Sequence, residues 1–152
     1  EKNPHMRGKD LEITKKACER FSRMPIAVMN FVEGTRFTPK KHADQSSPFT
    51  YLLKPKAGGI SFVLSAMEGN LNHIINTTII YPRGVKTFWE FLCCSQDEII
   101  VRVEVIPITT ELRGDYSNDP DYQKHFQAWL NRLWVDKDQV IGSCLRVRDK
   151  AA

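Results

Sequence analysis

Four consecutive residues, Glu33, Gly34, Thr35 and Arg36, bring a carboxylate, a bare backbone position, a hydroxyl and a guanidinium together. Such a set suits recognition of an oxyanion. Arginine presents a planar fork matched to two phosphate oxygens, and one charge-assisted hydrogen bond of this kind contributes about 1.5–3 kcal/mol. Glycine lets a ligand approach the backbone, and threonine donates its hydroxyl. The carboxylate of Glu33 either holds the guanidinium or accepts from a hydroxyl of the ligand. A second basic stretch, Lys54-Pro55-Lys56-Ala57-Gly58-Gly59, opens an apolar pattern of helical period. Free N–H groups and the helix dipole make such a start a natural anion site, to which Lys56 adds charge. Both stretches also have a plainer reading: a surface Glu–Arg pair after a strand, and a turn with solvated lysines. The nucleotide-binding pattern Gly-x-x-x-x-Gly-Lys-Ser/Thr is absent.

The elements that must position these residues follow from apolar spacing. Residues 25–32, apolar between Pro25 and Gly34, predict a short buried strand with the polar cluster at its C-terminal edge. That edge is where open α/β sheets bind ligands. Upstream, Asp10 is an N-cap for a helix over residues 11–23, with Leu11, Thr14, Cys18 and Phe21 on one face. Downstream, Thr38 caps a short turn with Pro39 at its first position, and residues 43–50 predict a polar surface loop. Ile60, Val63, Leu64 and Met67 recur at helical spacing.

Residues 74–81 predict a second buried strand, stopped by Pro82, and residues 87–94 a short aromatic helix whose Phe88, Trp89, Phe91 and Leu92 are available to pack. Residues 97–108 alternate, with Ile99, Val101, Val103 and Val105 on one face and Ile100, Arg102, Glu104 and Ile106 on the other. This predicts a half-exposed strand near a sheet edge, where Pro107 fits. Asp119 as N-cap and Pro120 at the first helical position open the longest helical pattern. Tyr122, Phe126, Trp129, Leu130, Leu133, Trp134, Val140 and Ile141 form its core face, and residues 146–152 predict a frayed basic tail.

At 152 residues and 41% hydrophobic composition, residues 1–152 are expected to form a single α/β domain with its own core. The formal net charge of +4 is mild, and suits an anionic membrane surface, a phosphorylated ligand or no specific partner; no nucleic-acid partner is expected. Cys18, Cys93, Cys94 and Cys144 form no zinc-type spacing, so no metal is expected, and the adjacent pair reads as core thiols in a reducing compartment. Residues 74–80, the most apolar run, are interrupted by Asn76, Thr77 and Thr78, too short a stretch to cross a bilayer. The first residues have neither an initiating Met nor a signal-peptide core, so the chain is expected to begin partway through a longer protein.

Phe31-Val32-Glu33-Gly34-Thr35-Arg36 resembles the Glu-Gly-Thr-Arg signature of the phospholipid/glycerol acyltransferase superfamily. Its continuation through Phe37-Thr38 and Lys41-His42 is similar to the lysophosphatidate (1-acylglycerol-3-phosphate) acyltransferase subgroup. Lys54-Pro55-Lys56-Ala57-Gly58 resembles the basic-glycine segment that follows in that family, and Thr78-Ile79-Ile80-Tyr81-Pro82 its later hydrophobic-proline motif. The segment near Phe88 and the ending from Trp129-Leu130 through Trp134, Lys137 and Asp138 fit as well, so the resemblance covers most of the chain. Val32 and Phe37 stand where the family commonly has Pro and Ser.

The resemblance implies an α/β fold with a central mixed sheet flanked by helices, here the C-terminal part of an acyltransferase domain and incomplete on its N-terminal side. It implies a parent enzyme, an O-acyltransferase, that moves a fatty acyl group from acyl-CoA or acyl carrier protein to lysophosphatidate, giving phosphatidate. No cofactor is implied beyond that acyl thioester co-substrate. The partners implied are a lysophospholipid acceptor, the acyl thioester donor and a membrane surface, with the parent protein at the cytoplasmic face of a membrane. Glu33, Gly34, Thr35, Arg36 and Lys56 are then the acceptor-phosphate site. The family's catalytic motif is Asn-His-x-x-x-x-Asp, its His acting as general base and its Asp orienting the imidazole. His5 and Asp10 have the spacing, but Pro4 replaces Asn, no apolar strand precedes them, and Asp10 serves as a helix cap. The pair reads as a coincidence, which places the catalytic His and Asp upstream of Glu1 and leaves this chain inactive alone. A non-catalytic lipid- or anion-binding module is the alternative.

Overall fold

The computed structural model describes residues 27–67, 70–93, 98–116 and 118–149. His5, Asp10, the helix expected over residues 11–23 and the first residues of the expected strand lie outside them. The elements in order are α1 (Pro39–Asp44), α2 (Ala57–Ala66), β1 (His73–Ile80), α3 (Phe88–Leu92), β2 (Ile100–Pro107), a 3-10 turn (Thr110–Leu112) and α4 (Pro120–Asp149). Helices thus combine with a small sheet, a mixed α/β arrangement.

α4 is the spine. Asp119 Oδ1 accepts from the backbone N–H groups of Asp121 and Tyr122, each at 3.0 Å, and satisfies two of the donors a helix start leaves free. The apolar stripe then faces inward: Phe126 and Leu130 are fully buried and Trp134 and Ile141 nearly so, whereas Val140 stays partly exposed. Phe126 gathers Tyr116, Tyr122 and Trp129 around it at ring-centroid separations of 5.2–6.2 Å. Across from this stripe lie Ala57 and Leu64 of α2, with Phe49 and Leu112 completing the cluster. The helix continues to Asp149, beyond the point where the basic tail was expected to fray.

β1 and β2 pair antiparallel, from His73 opposite Pro107 to Ile80 opposite Ile100. Among the described residues the sheet contains these two strands. One face carries Thr78 and Ile80, which are buried, with half-buried Ile74 beside them. On the other face Ile75 and Ile79 pair with Val105 and Val101, and all four are exposed, as is Val103. β1 is therefore covered on one side only, not buried as the apolar run suggested.

Three further expectations change. Residues 27–31 are not a strand, and Met29 and Phe31 are 81% and 78% exposed; no described strand lies beside them to supply a hydrogen-bond ladder. The segment after α1 is not a purely polar surface loop, because Phe49 is buried in the core and its carbonyl lies 2.6 Å from His42 Nε2. Asp138 on α4 accepts from the N–H groups of Thr50 and Tyr51 at 2.9 and 2.7 Å, clamping the same segment. Third, α3 forms as a capping box, with Thr87 and Glu90 bonding each other's backbone N–H, yet Phe88, Trp89 and Leu92 are exposed. Cys93 beside them is exposed as well, so it is not a core thiol.

Candidate functional site

The Glu33–Arg36 cluster forms a tight turn. The Gly34 N–H donates to the Phe31 carbonyl at 2.8 Å, and Gly34 has φ +69°, the left-handed region that glycine enters without a Cβ penalty. The segment leading into α2 braces this turn from behind. Lys56 N–H donates to the Val32 carbonyl at 2.9 Å, and the Val32 side chain packs against the core cluster.

On one side of the turn, cations gather. A Cβ built on Gly34 would lie 3.4 Å from Lys56 Nζ, so that ammonium rests over the bare backbone of the turn. Lys41, from α1, donates to Thr35 Oγ1 at 2.6 Å and to the Arg36 carbonyl at 3.3 Å. α1 can deliver Lys41 there because Thr38 Oγ1 accepts from Lys41 N–H at 3.2 Å and Pro39 occupies the first turn, as the sequence predicts. Arg36 is exposed, and among the described residues no carboxylate pairs with it. Nearby, α2 begins after Lys56 with no side-chain cap, so its first N–H groups are left for solvent or a ligand. A Cβ on Gly59 would meet the Asn30 side chain at 3.5 Å, which places α2's first turn beside the segment that leads into the Glu33–Arg36 turn. Gly34, Thr35, Arg36 and Lys56, selected on sequence, thus lie in one neighbourhood, and Lys41 joins them.

Glu33 lies differently. Its carboxylate lies near the Leu53 backbone N–H and in the field of Lys137 on α4. The buried Trp134 indole N–H acts on it too, without completing a hydrogen bond. Burial dominates and raises the Glu33 pKa above its ordinary 4.5, with those three groups opposing. Lys137 is held in turn. Its Nζ donates to the Thr77 carbonyl of β1 at 2.8 Å and lies 5.2 Å from the centroid of the Trp134 ring. Burial lowers its pKa below 10.5, while Glu33 and then Glu104 act to raise it.

Sequence reasoning passed over Trp134, which falls within the core stripe of α4, and Lys137, three positions beyond it, as site residues. The signal was the spacing: a lysine three positions beyond a core tryptophan shares its helix face. Lys41 carried no comparable signal, since its reach to Thr35 depends on how the chain folds back between them. Among the described residues no cluster of His, Cys, Asp and Glu is suited to a metal ion, and no helix is long and apolar enough to cross a membrane. The comparisons with family models, curated proteins and solved structures found no match to this chain.

Proposed function

We propose that this chain carries the acceptor-phosphate side of a glycerophospholipid O-acyltransferase. In this reading it binds the phosphate of lysophosphatidate while an acyl group passes from acyl-CoA or acyl carrier protein to the free hydroxyl, at a membrane surface. The observation that carries the reading is the turn at Gly34, where Lys56 Nζ lies over the bare backbone and Lys41 reaches Thr35 and the carbonyl of the exposed Arg36, with an uncapped helix start following Lys56. Two lysines at a bare glycine, an exposed arginine two residues on and free backbone donors suit a phosphate monoester. The resemblance of residues 31–36 and 54–58 to acyltransferase motifs supplies the reaction class.

The test is calorimetric titration of monomeric lysophosphatidate into the wild-type chain and Arg36→Ala. Loss of the guanidinium should weaken binding about 10- to 100-fold, as expected for a charge-assisted contact of roughly 1.5–3 kcal/mol. Equal affinities would remove Arg36 from the site.

A further inference from the structure

Lys41 reaches the Gly34 turn through two hydrogen bonds, yet the helix that carries it, α1, is six residues long and has no buried residue. So short a helix has little stability of its own, and its place is set by what ties it to the rest of the fold. We infer that His42 is a positioning residue for the site: its imidazole ties α1 to the core at Phe49, which holds Lys41 on Thr35 and commits the Thr35 hydroxyl to donating to the ligand phosphate. This role rests on the phosphate reading above and deepens it.

His42 Nε2 lies 2.6 Å from the Phe49 carbonyl oxygen. A carbonyl only accepts, so Nε2 carries a proton and donates. Phe49 is 7% exposed and belongs to the core cluster with Phe126 and Leu130 of α4. The Asp138 carboxylate holds the next two N–H groups, those of Thr50 and Tyr51, at 2.9 and 2.7 Å, so the His42 bond ends on a fixed point. The Phe37 ring lies against the imidazole at a centroid separation of 5.6 Å. Gln45, at the end of α1, adds a second tie, its side-chain oxygen accepting from the Lys54 N–H at 3.2 Å.

One residue before His42, Lys41 Nζ donates to Thr35 Oγ1 at 2.6 Å and to the Arg36 carbonyl at 3.3 Å. An ammonium has three N–H donors, which leaves one for a ligand. Having accepted from that ammonium, Thr35 Oγ1 has its own hydrogen directed elsewhere, and among the described residues no acceptor takes it. The hydroxyl is also a stronger donor for being polarised by Lys41. Thr35 thus offers a hydrogen and no readily accepting lone pair, which suits an ionised phosphate oxygen. Without the His42 bond α1 keeps the Gln45 tie, but Lys41 is no longer held on Thr35.

Three measurements on the whole 152-residue chain test this. Long-range proton–nitrogen NMR of His42 at neutral pH should find Nε2 protonated; a proton on Nδ1 alone overturns the inference. Calorimetric titration of monomeric lysophosphatidate then compares wild type with His42→Phe, which keeps a ring against Phe37 without the donor, and with His42→Gln, whose amide N–H replaces that of Nε2. His42→Phe should weaken binding about threefold or more, and His42→Gln should restore it. His42→Leu makes the same comparison if the Phe variant does not fold. Unchanged affinity in His42→Phe, or a loss that His42→Gln does not restore, overturns the inference. Thirdly, Lys41→Met and Thr35→Val should each weaken binding, and the double variant should fall short of the product of the two losses by about threefold or more, as coupled neighbours do. No loss in either single variant, or losses that simply multiply, overturn the inference as well. In each of these cases a weakened Arg36→Ala leaves the phosphate reading standing. If neither Arg36→Ala nor Lys41→Met alters affinity, the phosphate reading falls and takes the positioning role with it.

Discussion

At Gly34 a single backbone angle decides whether the candidate site exists. With φ at +69° an L side chain costs about 1–2 kcal/mol, while the methyl of Gly34→Ala would meet Lys56 Nζ at 3.4 Å, an ordinary van der Waals contact. Gly34→Ala is therefore predicted to lower stability by ~1–2 kcal/mol in urea unfolding and to weaken phosphate binding with it. Glu33 yields a pH prediction. Because burial raises its folded pKa above 4.5, ionising it works against the fold. Its favourable contribution is complete below that ordinary value and is lost as pH rises through the raised folded midpoint. Lys137 behaves in the opposite sense: its lowered folded pKa favours the fold above 10.5, and that contribution is lost as pH falls through the lowered midpoint. At neutral pH both charges thus weigh against stability, as partly buried pairs commonly do. Glu33→Gln should accordingly gain stability relative to wild type as pH rises from 4.5 toward neutrality, measured by urea unfolding at several pH values. A difference that stays constant with pH would contradict this account of Glu33.

Among the elements, α4 does most to hold the molecule together, since its stripe packs against α2 and its Asp138 clamps residues 50–51. Its attachment depends on Phe126, which is fully buried among three aromatic rings. Phe126→Ala is predicted to cost about 3–5 kcal/mol, read from the shift in denaturant midpoint; a change within ~0.5 kcal/mol would mean that the helix is held elsewhere. α4 was also the most legible element in the sequence, because Asp119-Pro120 and the stripe from Tyr122 to Ile141 specify a helix locally. Thr38-Pro39 and the start of α2 were legible for the same reason. Residues 27–31 were not, because an apolar run becomes a strand only beside another strand, and that neighbour is a tertiary fact. For the same reason the one-sided covering of β1 and the exposure of Phe88 and Trp89 could not be read from composition. At the site, the residue types at Gly34, Thr35, Arg36 and Lys56 were readable. The partial burial of Glu33 was not, since it depends on which distant parts of the chain fold over it.

Across the whole molecule, the candidate site joins parts far apart in sequence. Thr35 and Lys41 meet across the start of α1, Lys56 lies over Gly34, and Lys137 of α4 donates to the Thr77 carbonyl of β1. Positive charge is set at the turn by Lys41 and Lys56, which reach the segment that carries Arg36. A field of this kind selects a phosphate-bearing ligand over a neutral one of the same shape, and salt screens it. The central claim is that the chain recognises the acceptor through its phosphate. Its most direct test is the ratio of affinities of the wild-type chain for lysophosphatidate and for the monoacylglycerol with the same acyl chain, both below their aggregation concentrations. The account predicts that lysophosphatidate binds about tenfold or more tightly, that the preference shrinks as salt is raised, and that Arg36→Ala removes most of it. Equal affinity for the two ligands, unchanged by salt and by Arg36→Ala, would contradict it.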